Sequence, residues 1–327
     1  MRNFILVLLT VGTLWGAGEE YNGRWDITAN TQPRPRAWWL ELAGVGTAKP
    51  AGKFVSAYSG DMNVINAISV ENGELRFTIT QAARPDRPSA APGAPKAPNQ
   101  AGPQNYFFHA RLVNGKLEGA EEVEGQNKAP IQWTGVRAPV ITDKDDGSWK
   151  RSKPIALFDG KDLAGWKGLV PGAEVKWTVE NGVLRNAPPT TDIVSERKFW
   201  NFEAHVDFRI VEHSNSGIGL RGRYEIQILD DYGKPPNTHS AGALYSRVAP
   251  AVNASKPAGE WQSYDIRLVG RTVTVIHNGQ KVLDKVEVDG LTAIAANPDE
   301  SEPGPFIIQG DHSNVEIKSF VVTPLVH

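Results

Sequence analysis

Apolar and polar residues alternate in short runs along most of the chain. The runs repeat every second residue and end at Gly, Pro or Asn-Gly, and no long stretch carries the 3.6-residue period of an amphipathic helix. Alternation with a period of two places side chains on opposite faces of a half-buried β-strand. The pattern therefore predicts an all-β protein.

Residues 19–140 are predicted to form a small antiparallel β-barrel or sandwich, and their up-and-down order looks faintly like a lipocalin-type barrel. The pairs Asn72-Gly73 and Asn114-Gly115 suit the left-handed turns of two-residue hairpins. The predicted strands lie in GRWDITA (23–29), RAWWLELAG (36–44), KFVSAYS (53–59), AISVENGELRFTITQ (67–81), NYFFHARLVNGKLEGAEEV (105–123) and IQWTGVRA (131–138).

Two segments break the alternation. Residues 82–104 are rich in Pro and Ala, and because proline donates no hydrogen bond to a ladder, they predict an exposed, poorly ordered loop within the first domain. Residues 138–154 turn from apolar to charged and end in a proline. This composition is typical of an interdomain linker, which we place at residues 141–153.

Residues 154–327 predict a second domain, a two-sheet jelly roll, because short strands and tight turns follow one another at even spacing. His277-Asn278-Gly279 is predicted to form a turn between two strands. The predicted strands lie in VKWTVENGVLRN (175–186), DIVSERKFWNFEAHVDFRIV (192–211), HSNSGIGLRGRYEIQILDDYG (213–233), SAGALYSRV (240–248), EWQSYDIRLVGRTVTVIHNGQKVLDKVEV (260–288), PFIIQGDH (305–312) and NVEIKSFVVTPL (314–325).

The stretch 213–233 contains a run of strict alternation that is typical of a β-strand. One face, which we expect in the sandwich core, carries Tyr224, Ile226 and Ile228. The other face carries the polar residues Arg221, Arg223, Glu225 and Gln227. The nearby Gly217, Gly219 and Gly222 would let a ligand approach the backbone. The polar face is therefore a candidate floor of a binding site.

Composition narrows the classes of partner. The chain has 327 residues, 40% of them hydrophobic, and a net charge of −2 at pH 7. Lys and Arg form no run of the kind that follows phosphates, so we expect no nucleic acid partner. The ten tryptophans suit β-sandwich cores and the floors of sugar sites, where a flat ring meets C–H groups. Trp166, Trp200 and Tyr224 are candidates for such stacking, with core packing as the alternative.

Residues 1–18, MRNFILVLLTVGTLWGAG, are predicted to be a signal peptide cleaved near Ala17 or Gly18. The apolar run from Phe4 to Leu14 is about half the ~20 residues that a membrane span needs. The chain contains no cysteine, so it has neither a lipid-attachment thiol nor a disulfide framework. We expect an exported protein, periplasmic or secreted, without a membrane span.

Six motifs of the second domain occur in the order seen in the 3-keto-disaccharide hydrolase family. They are LFDGKDLAGW (157–166), WTVENGVL (177–184), SNSGIGLRG with YEIQILD (214–230), GALY (242–245), GEWQSYDI (259–266) and IIQGDHS (307–313). The resemblance covers about residues 154–325 and implies a fold similar to the concanavalin A-like lectin and glucanase sandwich. It does not extend to the first domain.

The resemblance implies a substrate already oxidised at C3 of the sugar, a 3-keto-disaccharide or 3-keto-glycoside. A ketone at C3 acidifies the C2 hydrogen, and the glycosidic oxygen on C1 is then lost by elimination, after which water adds back. Such a reaction requires a base near C2, a positive group or metal at the enolate oxygen, and an acid near the leaving oxygen.

Candidate residues are available for each of these roles. Glu225 is the expected base, Arg221 the expected partner of the enolate oxygen, and His239 a candidate acid. The residues expected to bind the sugar are Gln227, Asn215, Tyr245, Gln309, Asp311 and His312. A divalent metal at Asp311 and His312 is a further candidate, but two adjacent ligands have no distinctive metal-binding spacing, so no metal is assigned.

Two alternatives remain open from the sequence. The same sandwich serves as a non-catalytic carbohydrate-binding protein, because a fold does not fix a function. A two-carboxylate retaining glycosidase would place its carboxylates along one strand, and EIQILD offers Glu225 and Asp230 but has Gln227 between them. An amide cannot take the role of the middle carboxylate, which disfavours this mechanism.

Overall fold

The structure, a computed structural model, describes residues 18–55, 60–82, 102–292 and 294–327. Within these ranges the chain is built from strands, and the one helical element is a single 3-10 turn at Glu19–Tyr21. The predicted signal peptide, apart from Gly18, and most of the Pro/Ala-rich segment lie outside the described residues. No helix in the described ranges is long and apolar enough to cross a membrane.

The first half of the chain forms one antiparallel sheet of nine strands, in the order β4-β3-β2-β1-β9-β8-β7-β6-β5. Strands that follow one another in sequence pair with each other, except that β4 and β5 do not pair and lie at opposite edges of the sheet. The first strand, β1, also pairs with the last, β9. The strands are β1 (Gly23–Ala29), β2 (Arg36–Ala43), β3 (Ala51–Val55), β4 (Met62–Val64), β5 (Ala67–Glu71), β6 (Glu74–Gln81), β7 (Gln104–Val113), β8 (Lys116–Val123) and β9 (Ile131–Arg137).

This sheet curls around an aromatic interior. Phe54 and Phe108 lie with ring centroids 4.7 Å apart, and both are fully or almost fully buried. At the open side, the Ile65 amide donates to the Gly52 carbonyl and the Asn66 amide to the Thr78 carbonyl. Residues 65–66 thus connect the two edges where no ladder forms. The up-and-down barrel-like order expected from the sequence is present.

The second half forms two further sheets, one of nine strands and one of five. The nine-stranded sheet contains β10 (Lys150–Arg151), β11 (Ile155–Phe158), β13 (Trp177–Glu180), β14 (Val183–Asn186), β16 (Phe202–Ile210), β19 (Gln262–Val269), β20 (Thr272–His277), β21 (Gln280–Glu287) and β23 (Val315–Val326). The five-stranded sheet has the order β12 (Trp166–Gly168), β15 (Ile193–Phe199), β22 (Gly304–Ile308), β17 (Asn215–Leu220) and β18 (Tyr224–Leu229).

The two sheets of the second half share one apolar core. Phe208 and Tyr264 of the larger sheet and Ile218, Ile226 and Ile308 of the smaller one are buried in the same cluster. Because side chains alternate along a strand, the odd-numbered residues of β18 face away from this core. The predicted all-β jelly-roll sandwich is confirmed.

Two details of the sequence-based strand assignment are wrong. Arg221 is not part of the strand, because Arg221 and Gly222 adopt left-handed φ angles of 50° and 66° and form the turn between β17 and β18. Residues 240–248 do not form a strand, and only isolated bridges link Leu244 to Ile226 and Val248. The backbone of this segment instead follows β18, where the Gln227 amide donates to the Ala243 carbonyl.

The two halves are packed together over an apolar contact. Ala37, Trp39 and Val55 of the first sheet belong to the same buried cluster as the sandwich core. A Cβ atom on Gly290 would lie 2.2 Å from the Trp39 ring, so only glycine permits this approach. The segment predicted as a linker is also docked, because Asp143 accepts hydrogen bonds from Trp200 and Asn201.

Candidate functional site

A cavity of about 610 Å³ lies on the outer face of the five-stranded sheet. Six of the nine residues proposed from the sequence line it, namely Glu225, Asn215, Tyr245, Gln309, Asp311 and His312. The first half of the chain contributes Pro33, Arg34, Arg36 and Gly60 to the same lining. The cavity is thus built by both halves of the protein.

Glu225 lies in the middle of the site. It faces away from the sandwich core because Tyr224 and Ile226 on either side of it are buried there. Its carboxyl group rests on Gly217, where a Cβ would fall 2.4 Å from Oε1. Burial raises the pKa of Glu225 to about 8, and the carboxylates of Asp192 and Asp311 act in the same direction while His312 opposes them. A carboxyl group with such a pKa is a strong base once it is ionised.

Polar amides surround this carboxyl group. Gln227 is buried next to Glu225 on the same face, and with its amide oriented to suit its neighbours it donates to the Ser216 carbonyl (2.7 Å) and to Glu225 Oε1 (3.2 Å). The Gln309 backbone amide donates to the Gly217 carbonyl. Its side-chain Oε1 is buried and accepts no hydrogen bond from the described residues. This oxygen is therefore available to accept a hydrogen bond from a ligand hydroxyl.

A second acidic group, Asp192, faces the same space. Its Oδ1 accepts hydrogen bonds from the backbone amides of Gly310 (2.8 Å) and Asp311 (3.3 Å). Burial, and the nearby charge of Asp311, nevertheless raise the pKa of Asp192 to about 7. Several carboxyl groups in one partly desolvated cavity disfavour each other's ionised forms. The site is therefore predisposed to hold protons near neutral pH.

The imidazole of His312 lies among these carboxyl groups. Its Nδ1 is hydrogen-bonded to the Asp311 carboxylate, and this bond raises the pKa of His312, with burial acting in the opposite direction. The charges of Asp192 and Glu225 also favour the imidazolium form. A protonated imidazole beside a carboxyl group with a raised pKa is a matched acid and base.

Arg221 does not reach the cavity, contrary to the expectation from the sequence. Its guanidinium is fully buried, donates to the carbonyls of Trp200 and Gly270 and to Asn201 Oδ1, and lies 4.2 Å from the Trp200 ring centroid. All three of its nitrogens are thus used within the protein. The left-handed turn at residues 221–222 directs the side chain toward this carbonyl cluster and away from the face of Glu225.

His239 lies at the edge of the site and is not part of the cavity lining. Its Nε2 is 2.6 Å from Asp61 Oδ1 of the first sheet, and its ring packs edge-on against Tyr245, with centroids 5.0 Å apart. Tyr245 does line the cavity. His239 therefore connects the two halves beside the cavity, and its predicted role as the acid stays a prediction.

The predicted roles of the glycines and aromatic rings differ from the observed ones. A Cβ at Gly219 would meet Ile307 at 2.9 Å, so the close approach at Gly217 and Gly219 serves neighbouring side chains and not a ligand. Trp166 and Tyr224 are buried in the sandwich core. Trp200 lies under Arg221, so none of the three candidate rings stacks in the cavity.

Sequence reasoning missed Asp192 and Arg34. Asp192 begins the segment DIVSERKFW, where it resembles an ordinary residue before a strand. Arg34 belongs to the first half of the chain, whose strands gave no sign of proximity to residue 225. Only the long-range packing of the two halves brings these residues together.

The described residues contain no group of three or more His, Cys, Asp or Glu side chains arranged to hold a metal ion. Asp311 and His312 are hydrogen-bonded to each other.

Comparison with known families places these features in context. The sequence profile of the 3-keto-alpha-glucoside-1,2-lyase-like domain matches residues 153–323, a region that includes Glu225, Asp192, Asp311 and His312. The chain belongs to this family. The matched range agrees with the motif-based resemblance at residues 154–325, and the first sheet lies outside it.

Several individual proteins are similar to parts of this chain. A 3-keto-disaccharide hydrolase of Bacteroides thetaiotaomicron is 26% identical over 208 residues, covering 52% of this chain and 71% of that protein. A Parabacteroides distasonis protein with a provisional description as a glycosyl hydrolase is 29% identical, with a TM-score of 0.48 over 61% of this chain and 94% of its own. A second such protein from the same organism is 26% identical, with a TM-score of 0.42 over 53% of this chain and all of its own.

Proposed function

We propose that this protein cleaves the glycosidic bond of 3-keto-disaccharides or 3-keto-glycosides by elimination across C1 and C2, followed by hydration. The observation that carries the proposal is the position of Glu225, a buried carboxyl group with a raised pKa on the floor of the cavity, close to the imidazole of His312. Membership of a 1,2-lyase-like family supports the same bond as the site of cleavage.

In the first step the Glu225 carboxylate takes the proton from C2 of the sugar. The electron pair of the C2–H bond moves onto the C3 oxygen as an enolate, and its return expels the glycosidic oxygen from C1. The His312 imidazolium donates its proton to that leaving oxygen, and Asp311 holds the imidazolium in place. A base and an acid in these positions each contribute roughly 10²- to 10⁴-fold to such a reaction.

In the second step water adds to the double bond between C1 and C2. Its hydroxyl group bonds to C1, its other proton returns to His312, and the proton held by Glu225 returns to C2. The net reaction is hydrolysis, and both side chains regain their starting protonation states. Gln227, Asn215 and Gln309 supply hydrogen-bonding groups for the sugar hydroxyls around this centre.

The test compares oxidised and unoxidised sugars as substrates. The protein is incubated with 3-keto-trehalose and, separately, with trehalose, and free glucose is measured over time. We expect release from the 3-keto sugar alone. Release from both sugars would instead indicate a two-carboxylate glycosidase, and binding of the 3-keto sugar without release would indicate a carbohydrate-binding protein.

A further inference from the structure

The reaction proposed above requires a positive group at the C3 oxygen, and Arg221 cannot provide it because its donors are bound to the Trp200 and Gly270 carbonyls and to Asn201. Besides the His312 imidazole, which is assigned to the leaving oxygen, the described lining contains the basic side chains Arg34, Arg36 and Lys176. Lys176 is paired with Glu174 at 3.3 Å, and Arg36 is exposed. Arg34 is partly buried and forms no ion pair with a described residue, so it is the candidate for this role.

Arg34 is held in a defined position by both halves of the protein. It lies in the loop between β1 and β2, whose ends are fixed by the pairing of Ala29 with Arg36. Thr31 Oγ1 donates to the Arg34 carbonyl at 2.8 Å, and Arg34 Nη1 donates to the carbonyl of Ala296 in the second half at 3.2 Å. The guanidinium is therefore anchored at one nitrogen.

The rest of the guanidinium is available to a ligand. Nη1 donates to the Pro35 and Ala296 carbonyls, whereas Nε and Nη2 make no hydrogen bond to any described residue. The negative charge of Asp192 also acts on Arg34, so the cation faces the acidic side of the cavity. An anchored guanidinium with two unused nitrogens suits a developing oxyanion, because it need not reorganise during the reaction.

We propose that Arg34 is a catalytic residue of this site, which binds the C3 oxygen of the keto sugar and stabilises it as the enolate. This inference rests on the proposed function and assigns a catalytic group to the first sheet, outside the family region at residues 153–323. Arg34 keeps its own protons throughout, and the proton from C2 passes to Glu225.

The test isolates enolate formation from bond cleavage. A 3-keto derivative of 1,5-anhydroglucitol has no glycosidic leaving group at C1, so exchange of its C2 hydrogen with deuterium from D₂O, which proton NMR measures, reports enolate formation without glycosidic cleavage. The variants are Arg34→Met, which removes the charge but keeps length, and Arg34→Lys, which keeps a charge. Arg76→Met is the matched control, because Arg76 is exposed on the first sheet and pairs with Glu74.

We expect Arg34→Met to slow the exchange by about 100- to 1,000-fold, the usual loss for one oxyanion donor, with Arg34→Lys between it and the wild type. Arg76→Met should exchange at the wild-type rate, and equal melting temperatures would establish that the variants are folded. If Arg34→Met exchanges at the wild-type rate while Glu225→Gln does not exchange, the role of Arg34 is refuted and the proposed function stands. If the wild-type protein itself neither exchanges C2 nor cleaves 3-keto-trehalose, the proposed function is refuted and this inference with it.

Discussion

The Glu225 carboxyl group lies directly over Gly217, where a Cβ atom would fall 2.4 Å from Oε1 and 3.0 Å from Cγ and Cδ. Gly217 is diagonal to Glu225 on the paired strands β17 and β18, since Glu225 pairs with Gly219. The φ angle of Gly217 is not left-handed, so its backbone accepts alanine. The absence of a side chain at 217 is therefore what leaves room for the carboxyl group.

Gly217→Ala should displace the base without disrupting the fold. A misplacement of about 1 Å in a reacting group costs roughly 100-fold in rate, and we expect a loss of kcat of that order on 3-keto-trehalose. Gly102→Ala is the matched control, because a Cβ there meets no atom within 4 Å. Equal activity of the two variants would contradict the placement of Glu225 as the base.

Glu225→Gln should nearly abolish turnover while sugar binding persists. The amide keeps the size of the side chain and can still form hydrogen bonds, but it cannot accept the C2 proton. We expect kcat to fall by about 100- to 10,000-fold, with the Kd for the 3-keto sugar, measured calorimetrically, within a few-fold of the wild type. Glu118→Gln, an exposed substitution on β8, should leave both quantities unchanged, and turnover of Glu225→Gln at the wild-type rate would exclude Glu225 as the base.

The pH dependence of kcat/KM should be limited on the acid side by Glu225. Its pKa is raised to about 8, and the carboxylate is the active form, so activity should fall about tenfold per pH unit below that value. His312 must be protonated, so activity should also fall as pH rises through its pKa, which the Asp311 bond raises. Asp311→Asn should therefore shift the alkaline limb to lower pH, and it should move the acid limb in the same direction by less, because the charge of Asp311 makes only a minor contribution to the raised pKa of Glu225. An unshifted alkaline limb would argue against His312 as the acid.

Asp26 should make the folded protein less stable as the pH rises. It is buried at the contact between the two halves, where burial and the charge of Glu300 raise its pKa to about 8. The unfolded chain releases this proton near pH 4 and the folded chain near pH 8, so wild-type stability should decrease between these values, by at most about 1.4 kcal/mol per pH unit.

Melting temperatures from pH 5 to 8.5 test this relationship. Asp26→Asn removes the titrating group, so the melting temperature of this variant relative to that of the wild type should rise with pH. Asp284→Asn, at an exposed ion pair with Lys281, should follow the wild-type curve. Parallel curves for Asp26→Asn and the wild type would show that Asp26 does not titrate between these pH values.

The sequence was sufficient to predict most of the fold because the hairpin signals are local. Asn72-Gly73, Asn114-Gly115 and Asn278-Gly279 all adopt left-handed φ angles, as their residue types require. The sharpest error, at Arg221, has the same origin. The alternating pattern led us to extend β18 back to Arg221. Arg221 has a positive φ, and the pair Arg221-Gly222 carries no sequence signal for such a turn.

The site was predictable only where it follows one strand or one motif. Glu225 and Gln227 share a face because of the two-residue period, and Asp311 and His312 come from a motif near the end of β22. Arg34 and Asp192 line the same cavity, although both are far from Glu225 in sequence. Their approach depends on how the first sheet packs against the second half, and no local pattern encodes that packing.

The contact of Trp39 with Gly290 has a consequence for how this protein can be divided. Because Ala37, Trp39 and Val55 belong to the buried core of the sandwich, the family region at residues 153–323 does not close its core by itself in this chain. Removing the barrel-like sheet would open that core to water, so the two halves should melt in a single cooperative transition. The family region and the first sheet should therefore behave as one cooperative folding unit.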